Sequence, residues 1–303
     1  MRGTEKVLHS LERLGWSGLA RRDEPMARHT SFKVGGPAEL FVEPETADQA
    51  VELARICAGA RVRLRVLGGG TNLLVCDAGV ASVVLCTKRL RAESCDGRRL
   101  GFAAGVPLAR ALKKAADSRL GGLETLAGIP GTIGGALVMN AGGKYGAIGE
   151  LVKTVTILDG KHGIREIPGV AARFAYRSSG IENSLVLGCV LECIRRDKNS
   201  ILRRASDILR EKKASQPLWA RSAGCFFKNP PSGPSAGKLI DDAGLKGIRL
   251  GGASVSRRHA NFIVAGPGST AADVRALADS VAAEVEARFG VILEPEVRMW
   301  GRE

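Results

Sequence analysis

The sequence predicts an α+β chain of about two domains, and three observations carry that expectation. Strand-like and helix-like segments are mixed without the regular βα alternation of a doubly wound sheet. At 303 residues the chain has the length of about two ordinary domains. Glycine is abundant, 39 residues against a usual share of about 7%. It is clustered without a period, as where backbone packs closely against something.

The elements follow from local pattern. "ADQAVELARICA" (47–58) has helical apolar spacing, and "VRLRVLGGGTNLLV" is a strand that breaks into a glycine loop. "VASVVLCT", "VKTVTILDG" and "NSLVLGCVLECI" read as strands, and "LGFAAGVPLARALKKAADS" as strand, turn and helix. The stretch from 122 to 150 is too glycine-punctuated to be one element. Residues 201–214, "ILRRASDILREKKA", form an amphipathic helix, and a domain boundary is expected beside it because the glycine-dense pattern stops there. Beyond it come "CFFKN" (strand), "SAGKLIDDAGL" (helix), "IRLGGASVS" and "NFIVAG" (strands). A helix capped by Thr270 and Asp273 then runs to Gly290. "VILEPEVRMW" closes the chain as a strand, whose alternation would set Glu294, Glu296 and Arg298 opposite Val297 and Met299.

Composition narrows the function. No apolar run approaches the ~18 residues of a membrane-spanning helix. The N-terminal "MRGTEKVLHSLERLGW" is amphipathic and charged, without the apolar core of a signal peptide. A cytoplasmic protein without membrane insertion is expected. Seven irregularly spaced cysteines are no secreted disulfide framework. Cys189 and Cys193 lack a second pair to complete a zinc site, so core thiols and no metal are expected. The net charge of +14 could serve nucleic acid. Aromatic residues make up only 4% of the chain, however, and no recognition motif is present. Solvated helix faces plus sites for small anionic ligands explain the charge at least as well, and nucleic acid is the minority reading.

Two glycine loops, 67–74 and 128–143, could cradle phosphates with backbone N–H groups. Neither is a Walker A motif or a GxGxxG turn between strand and helix. Two such loops favour a dinucleotide over a lone phosphate; tight structural turns are the plainer alternative.

Eight segments then occur together in order: "HTSFKVGGPAELF", "VLGGGTNLLV", "AGIPGTIGGALVMNAG", "FAYRSSG", "SAGCFFKNP", "GKLIDDAGLKG", "SRRHANFIV" and "LEPEVRMWG". From about His29 to Gly301 the chain resembles the UDP-N-acetylenolpyruvoylglucosamine reductase (MurB) family. The resemblance implies an FAD-binding region of the vanillyl-alcohol-oxidase (PCMH-like) type in two lobes, with a separate α+β substrate-binding domain. The divisions implied are an N-terminal helical segment at 1–28, the FAD-binding domain at 29–200 (its lobes split near 67–90), and the substrate domain at 201–303. The implied reaction reduces the enolpyruvyl ether of UDP-N-acetylglucosamine to UDP-N-acetylmuramate for peptidoglycan, with non-covalent FAD and with NADPH as hydride donor. The short interval before "SAGCFF" matches the shorter form of the family, without the inserted loop whose tyrosine closes over substrate. A monomer is expected. The rival readings are an FAD oxidase or dehydrogenase acting on another small molecule, and a basic nucleic-acid-binding protein.

The resemblance also assigns residues. FAD would be held by Gly68, Gly69, Gly70, Thr71 and Asn72, and by Gly128, Ile129, Pro130, Gly131, Gly134, Gly135, Asn140, Ala141 and Gly142. Arg177 would face the substrate carboxylate, where a planar guanidinium suits better than a lysine. Glu296 would assist protonation or stabilise the intermediate. Cys225 stands where the family usually has serine, and would give the proton to the α-carbon. A thiol of ordinary pKa about 8.5 is a stronger acid than a hydroxyl, but it is open to oxidation. Tyr176, Lys228, Asn229, Lys238, His259 and Asn261 would bind the nucleotide sugar. Taken alone, each has a plainer reading: a structural ion pair for Arg177, a strand-edge pair for Glu296, a core thiol for Cys225, a satisfied structural histidine for His259.

Overall fold

The structure, a computed structural model, describes residues 3–160 and 163–301. The outermost residues of the predicted N-terminal and C-terminal segments, 1–2 and 302–303, lie outside the described residues. The fold is α+β, and the chain divides into two compact units that do not follow its linear order. The first takes the chain up to Arg21, Leu40–Gly69 and Ser82–Glu211. The second takes Arg22–Glu39, Gly70–Ala81 and the chain from Lys212.

In the first unit, α1 (Gly3–Arg13) and α2 (Ala47–Gly59) bury Val7, Leu11, Ala50, Val51 and Leu53 in one core. The Thr46 hydroxyl accepts the Gln49 N–H at 3.2 Å and starts α2. Leu64–Leu67 pairs in parallel with Val80–Cys86, with Leu64 opposite Val83. A five-stranded sheet runs, edge to edge, through Gly163–Pro168, Val152–Asp159, Leu185–Glu192, Arg99–Ala103 and Glu93–Asp96. Its apolar side chains make a second core with α3 (Leu108–Asp117) and the short α4 (Ile133–Val138). Cys189 and Cys193 belong to this core, and burial pushes their thiols up to about 12 and about 11. Glu124, 1% exposed, is compensated by Arg196 Nη1 at 2.6 Å and the Gly122 N–H at 2.6 Å. The long α5 (Lys198–Ser215) turns Ile201, Ala205 and Ile208 inward, and the unit boundary falls within its last turns.

The second unit has one core. Phe32, Phe226 and Phe227 meet α6 (Ala236–Asp242) and α7 (Ala271–Phe289), whose Val274, Leu277, Val281 and Val285 are buried in the same core. The start of α7 is capped twice over. Thr270 and Asp273 form a reciprocal capping box, and the Asp77 carboxylate accepts the Ala271 and Ala272 N–H groups at 2.8 and 2.9 Å. Gly290 ends the helix in the left-handed conformation, φ 66°.

Three predicted strands are corrected. "IRLGGASVS" is a hairpin, Arg249–Leu250 antiparallel to Ala253–Val255, because its two glycines turn the chain back. "CFFKN" makes only an isolated antiparallel bridge, Phe227 opposite Pro295. "VILEPEVRMW" is a strand only at Arg298–Trp300, which pairs in parallel with Leu73–Val75. Pro295 has no N–H to give. The Glu296 and Val297 N–H groups both point at Phe226 O, at 2.7 and 3.4 Å, so two residues oppose one as in a bulge. Alternation is broken there: Val297 is buried, but Met299 is 39% exposed.

The α7 caps give a first expectation. Thr270→Ala and Asp77→Ala should each lower stability by about 1 kcal/mol, read from the urea midpoint; an unchanged midpoint would mean these bonds merely replace equal bonds to water.

Candidate functional site

The residues singled out by sequence fall into two groups, one in each unit.

In the first unit the two glycine loops meet. Thr132, at the start of α4, lies under Gly68, where a Cβ would come within 2.5 Å of the Thr132 Oγ1. Main-chain bonds fix the second loop. Leu108 N–H donates to Gly131 O at 3.0 Å, Ile133 N–H to Val106 O at 2.8 Å, and Gly134 N–H to Ala104 O at 2.8 Å. Thr132 is 3% exposed, and its buried Oγ1 has no hydrogen-bond partner. Sequence reasoning missed Thr132; its only signal was its place inside "PGTIGG".

Arg177 sits on a tight turn in which Ala175 and Ser178 pair with each other. Its backbone is left-handed, φ 54°, its Nη1 donates to Gly142 O at 2.9 Å, and its guanidinium lies 5.3 Å from the ring centroid of the exposed Tyr176. The Ser179 hydroxyl donates to Val138 O at 2.8 Å, and Asn140 Nδ2 to Ala175 O at 2.9 Å. The turn is thus tied to the second half of the second glycine loop.

In the second unit, Gly70 carries φ 67°, and a Cβ there would come within 1.9 Å of His29 O, so the "HTSF" segment is the floor of this part of the first loop. Residues 225–228 are held along both edges. On one side Phe226 N–H donates to Asn261 O at 2.8 Å, and the Asn261 amide closes a ring with Phe227. Asn261 Oδ1 accepts the Phe227 N–H at 2.9 Å, and Nδ2 donates to Phe227 O at 2.8 Å. On the other side lie the Glu296 bond to Phe226 O and a bond of 2.8 Å from Lys228 N–H to Glu294 O. Cys225, half-buried, and Glu296 are therefore carried on adjacent, registered segments. Asn72 Nδ2 donates to Glu296 O at 3.0 Å, which brings the end of the first loop to the same place.

The nucleotide-binding candidates are also in this unit. Asn229 Oδ1 accepts the Ala236 N–H at the start of α6, at 3.1 Å. Lys228 pairs with Glu294 at 2.7 Å, and Lys238 with Asp242. His259 Nδ1 accepts the Asn261 N–H at 3.3 Å, and the ring packs edge-on against Phe262 at 4.9 Å. Burial first, and then the nearby Lys246 charge, lower its pKa below the ordinary 6.5. At neutral pH the ring is uncharged, and with Nδ1 accepting, its proton is on Nε2. Among the described residues, no group of three or more His, Cys, Asp and Glu is placed to hold a metal ion, and no helix is long and apolar enough to cross a membrane.

Residues 216–300 match the C-terminal domain of UDP-N-acetylenolpyruvoylglucosamine reductase, and residues 38–167 match an FAD binding domain. The UDP-N-acetylenolpyruvoylglucosamine reductase of Desulfosudis oleivorans is 41% identical over 296 residues, covering 92% of this chain and 94% of its own. That of Geobacter metallireducens is 42% identical over 289 residues, with 94% and 95% covered. This chain belongs to the UDP-N-acetylenolpyruvoylglucosamine reductase family. The crystal structure of the Thermus caldophilus reductase (MurB) agrees, with a TM-score of 0.80 at 35% identity over 91% of this chain and 97% of that one.

The FAD binding match spans both glycine loops, and their residues fit a flavin dinucleotide. Gly68 leaves backbone open beside Thr132, and the orphaned Thr132 hydroxyl is a buried donor suited to an anionic oxygen.

His259 gives a pH expectation. Its folded pKa is lowered, so the unfolded chain takes up the proton first as the solution is acidified. Its contribution to stability is fully present above pH 6.5 and is lost as the pH falls through 6.5 toward the folded value. Urea midpoints measured at about pH 7.5 and about pH 5.5 should fall less in His259→Gln than in the parent. Equal losses would mean that His259 carries no linkage.

Proposed function

We propose that this chain catalyses the NADPH-dependent reduction of UDP-N-acetylglucosamine enolpyruvate to UDP-N-acetylmuramate, in the cytoplasm, as a step of peptidoglycan precursor synthesis. The observation that carries the reading is the registered pair of segments 225–228 and 294–297, within a chain that belongs to the reductase family. Gly68, residues 70–72, Thr132 and residues 128–142 would hold FAD, which when bound would supply the hydride chemistry, with NADPH as the reductant.

The chain's own residues do the rest. Arg177 sets a fixed cation against the substrate carboxylate, where negative charge grows as the double bond is reduced. The Cys225 S–H bond breaks as the C–H bond at the α-carbon forms, leaving a thiolate that is reprotonated from solvent. With the hydride on the β-carbon, one proton at the α-carbon completes the saturated lactyl ether. Glu296 stands beside the Cys225 segment and polarises the forming centre. Lys228, Lys238, Asn229 and the neutral His259 supply donors for the diphosphate and sugar. Tyr176, exposed beside Arg177, borders the same substrate. Asn261 serves by holding Phe227, since both polar atoms of its side chain are engaged there.

Anaerobic rapid mixing tests this reading. NADPH should bleach the flavin band near ~450 nm, and the enolpyruvyl ether should restore it with formation of UDP-N-acetylmuramate. Cys225→Ala should slow the restoring step by about 10²-fold or more, with bleaching by NADPH spared. Cys225→Ser should keep most of the rate. Equal damage to both steps in Cys225→Ala, or a serine variant as slow as alanine at matched pH, would refute the proton-donor role.

A further inference from the structure

The family resemblance counts Asn72 and Asn140 among the groups that hold FAD. Their side-chain amides point elsewhere, and both point at segments that carry a charged group of the proposed reaction.

Asn72 ends the first glycine loop. Its Nδ2 donates to Glu296 O at 3.0 Å, and its own carbonyl accepts the Arg298 N–H at 3.1 Å. It therefore grips the chain on both sides of Val297. The parallel ladder begins only with Leu73 opposite Arg298, so it does not fix Glu296. Nor can the residue before Glu296 donate, because it is Pro295. The Glu296 peptide is held by its N–H to Phe226 O at 2.7 Å and by its carbonyl to Asn72. One contact leads to the segment of Cys225, the other to the flavin loop.

Asn140 lies near the end of the second loop. It is left-handed, φ 42°, a conformation that asparagine tolerates better than most residues. Its Nδ2 donates to Ala175 O at 2.9 Å, and its Oδ1 accepts the Gly149 N–H at 3.0 Å. Nδ2 thus fixes the turn that carries Arg177, while Oδ1 holds the Gly149 peptide. That turn has reason to need fixing. Arg177 occupies a backbone region unfavourable to it, and Ala175 and Ser178 close the turn with bonds of 3.1 and 3.3 Å.

We infer that Asn72 and Asn140 are positioning residues: each closes one flavin loop and fixes the register of the segment that carries Glu296 or Arg177. Each loop then has two edges, a glycine edge facing the cofactor and an asparagine edge facing the catalytic segment. The inference rests on the proposed reaction only for what the two charged groups do; the ties themselves are geometry.

Asn72→Ala, Asn72→Asp and Asn140→Gly test it in the full-length holoenzyme. Aspartate keeps the shape of Asn72 but cannot donate to Glu296 O, and glycine keeps the left-handed backbone at 140. FAD affinity, titrated by flavin fluorescence, should change by less than about threefold, because the glycine edges are intact. Reoxidation of the reduced flavin by UDP-N-acetylglucosamine enolpyruvate should slow by about tenfold or more, with Asn72→Asp at least as slow as Asn72→Ala. Amide hydrogen exchange should quicken near 294–298 in the Asn72 variants and near 175–179 in Asn140→Gly, each leaving the other segment as it was. Loss of FAD affinity with protected segments would overturn the inference, making both asparagines cofactor ligands. Variants unchanged in both exchange and reoxidation would overturn it as well. If the parent enzyme itself is not reoxidised by this substrate, the proposed reaction fails, and FAD titration with the exchange pattern still decides the inference.

Discussion

The second unit depends on satisfying the backbone of two adjacent buried phenylalanines. Phe226 and Phe227 are 1% and 2% exposed. Burying two such rings contributes about 2 to 3 kcal/mol each. Their peptide groups go out of water with them, and each group left unpaired costs about 1 to 3 kcal/mol. Four unpaired groups would cancel the gain. The structure pairs them with Asn261 on one side and with Glu296 and Val297 on the other. The site candidates Cys225, Lys228 and Glu296 are thereby anchored on segments that the core itself holds rigid.

The lysines offered to the nucleotide sugar are not bare charges. Lys228 pairs with Glu294 and Lys238 with Asp242. Pairs this exposed contribute about 0 to 1 kcal/mol, so an incoming phosphate can exchange one acceptor for another at little cost. The acids keep the lysine heads near the site yet let them go. A neutral His259 fits the same arrangement, since it donates from Nε2 without adding a desolvated charge to an already basic surface.

What the sequence made legible was local. The α2 and α7 helices appear at their expected places because α2 announces itself by apolar spacing and α7 by spacing, a hydroxyl cap and a glycine stop. The glycine loops were recognisable as loops, and the family motifs named the candidate site residues. Long-range pairing was hidden. The predicted C-terminal strand fails between Val291 and Val297 because its partner, Phe226, receives two successive N–H groups, a choice made by residues some 70 positions away. The meeting of Gly68 with Thr132, and the recruitment of 22–39 and 70–81 into the unit of the C-terminal third, are likewise set by tertiary packing. The asparagines Asn72, Asn140 and Asn261 show the limit most clearly. A motif identifies such a residue, but only the structure tells whether its amide faces a ligand or a neighbouring strand.

The cysteines make the same point about chemistry. Burial pushes Cys57 and Cys189 up to about 12 and Cys86 and Cys193 up to about 11, so at neutral pH all four are protonated, apolar packing groups. Cys76, partly buried, donates to Gly79 O at 3.0 Å within a turn. Cys225 differs from all five in setting: it follows a left-handed glycine, φ 84° at Gly224, and enters the doubly held segment half-exposed. A thiol that only filled space would sit better among the buried four. The proposed proton donor is thus carried on a segment bonded along both edges.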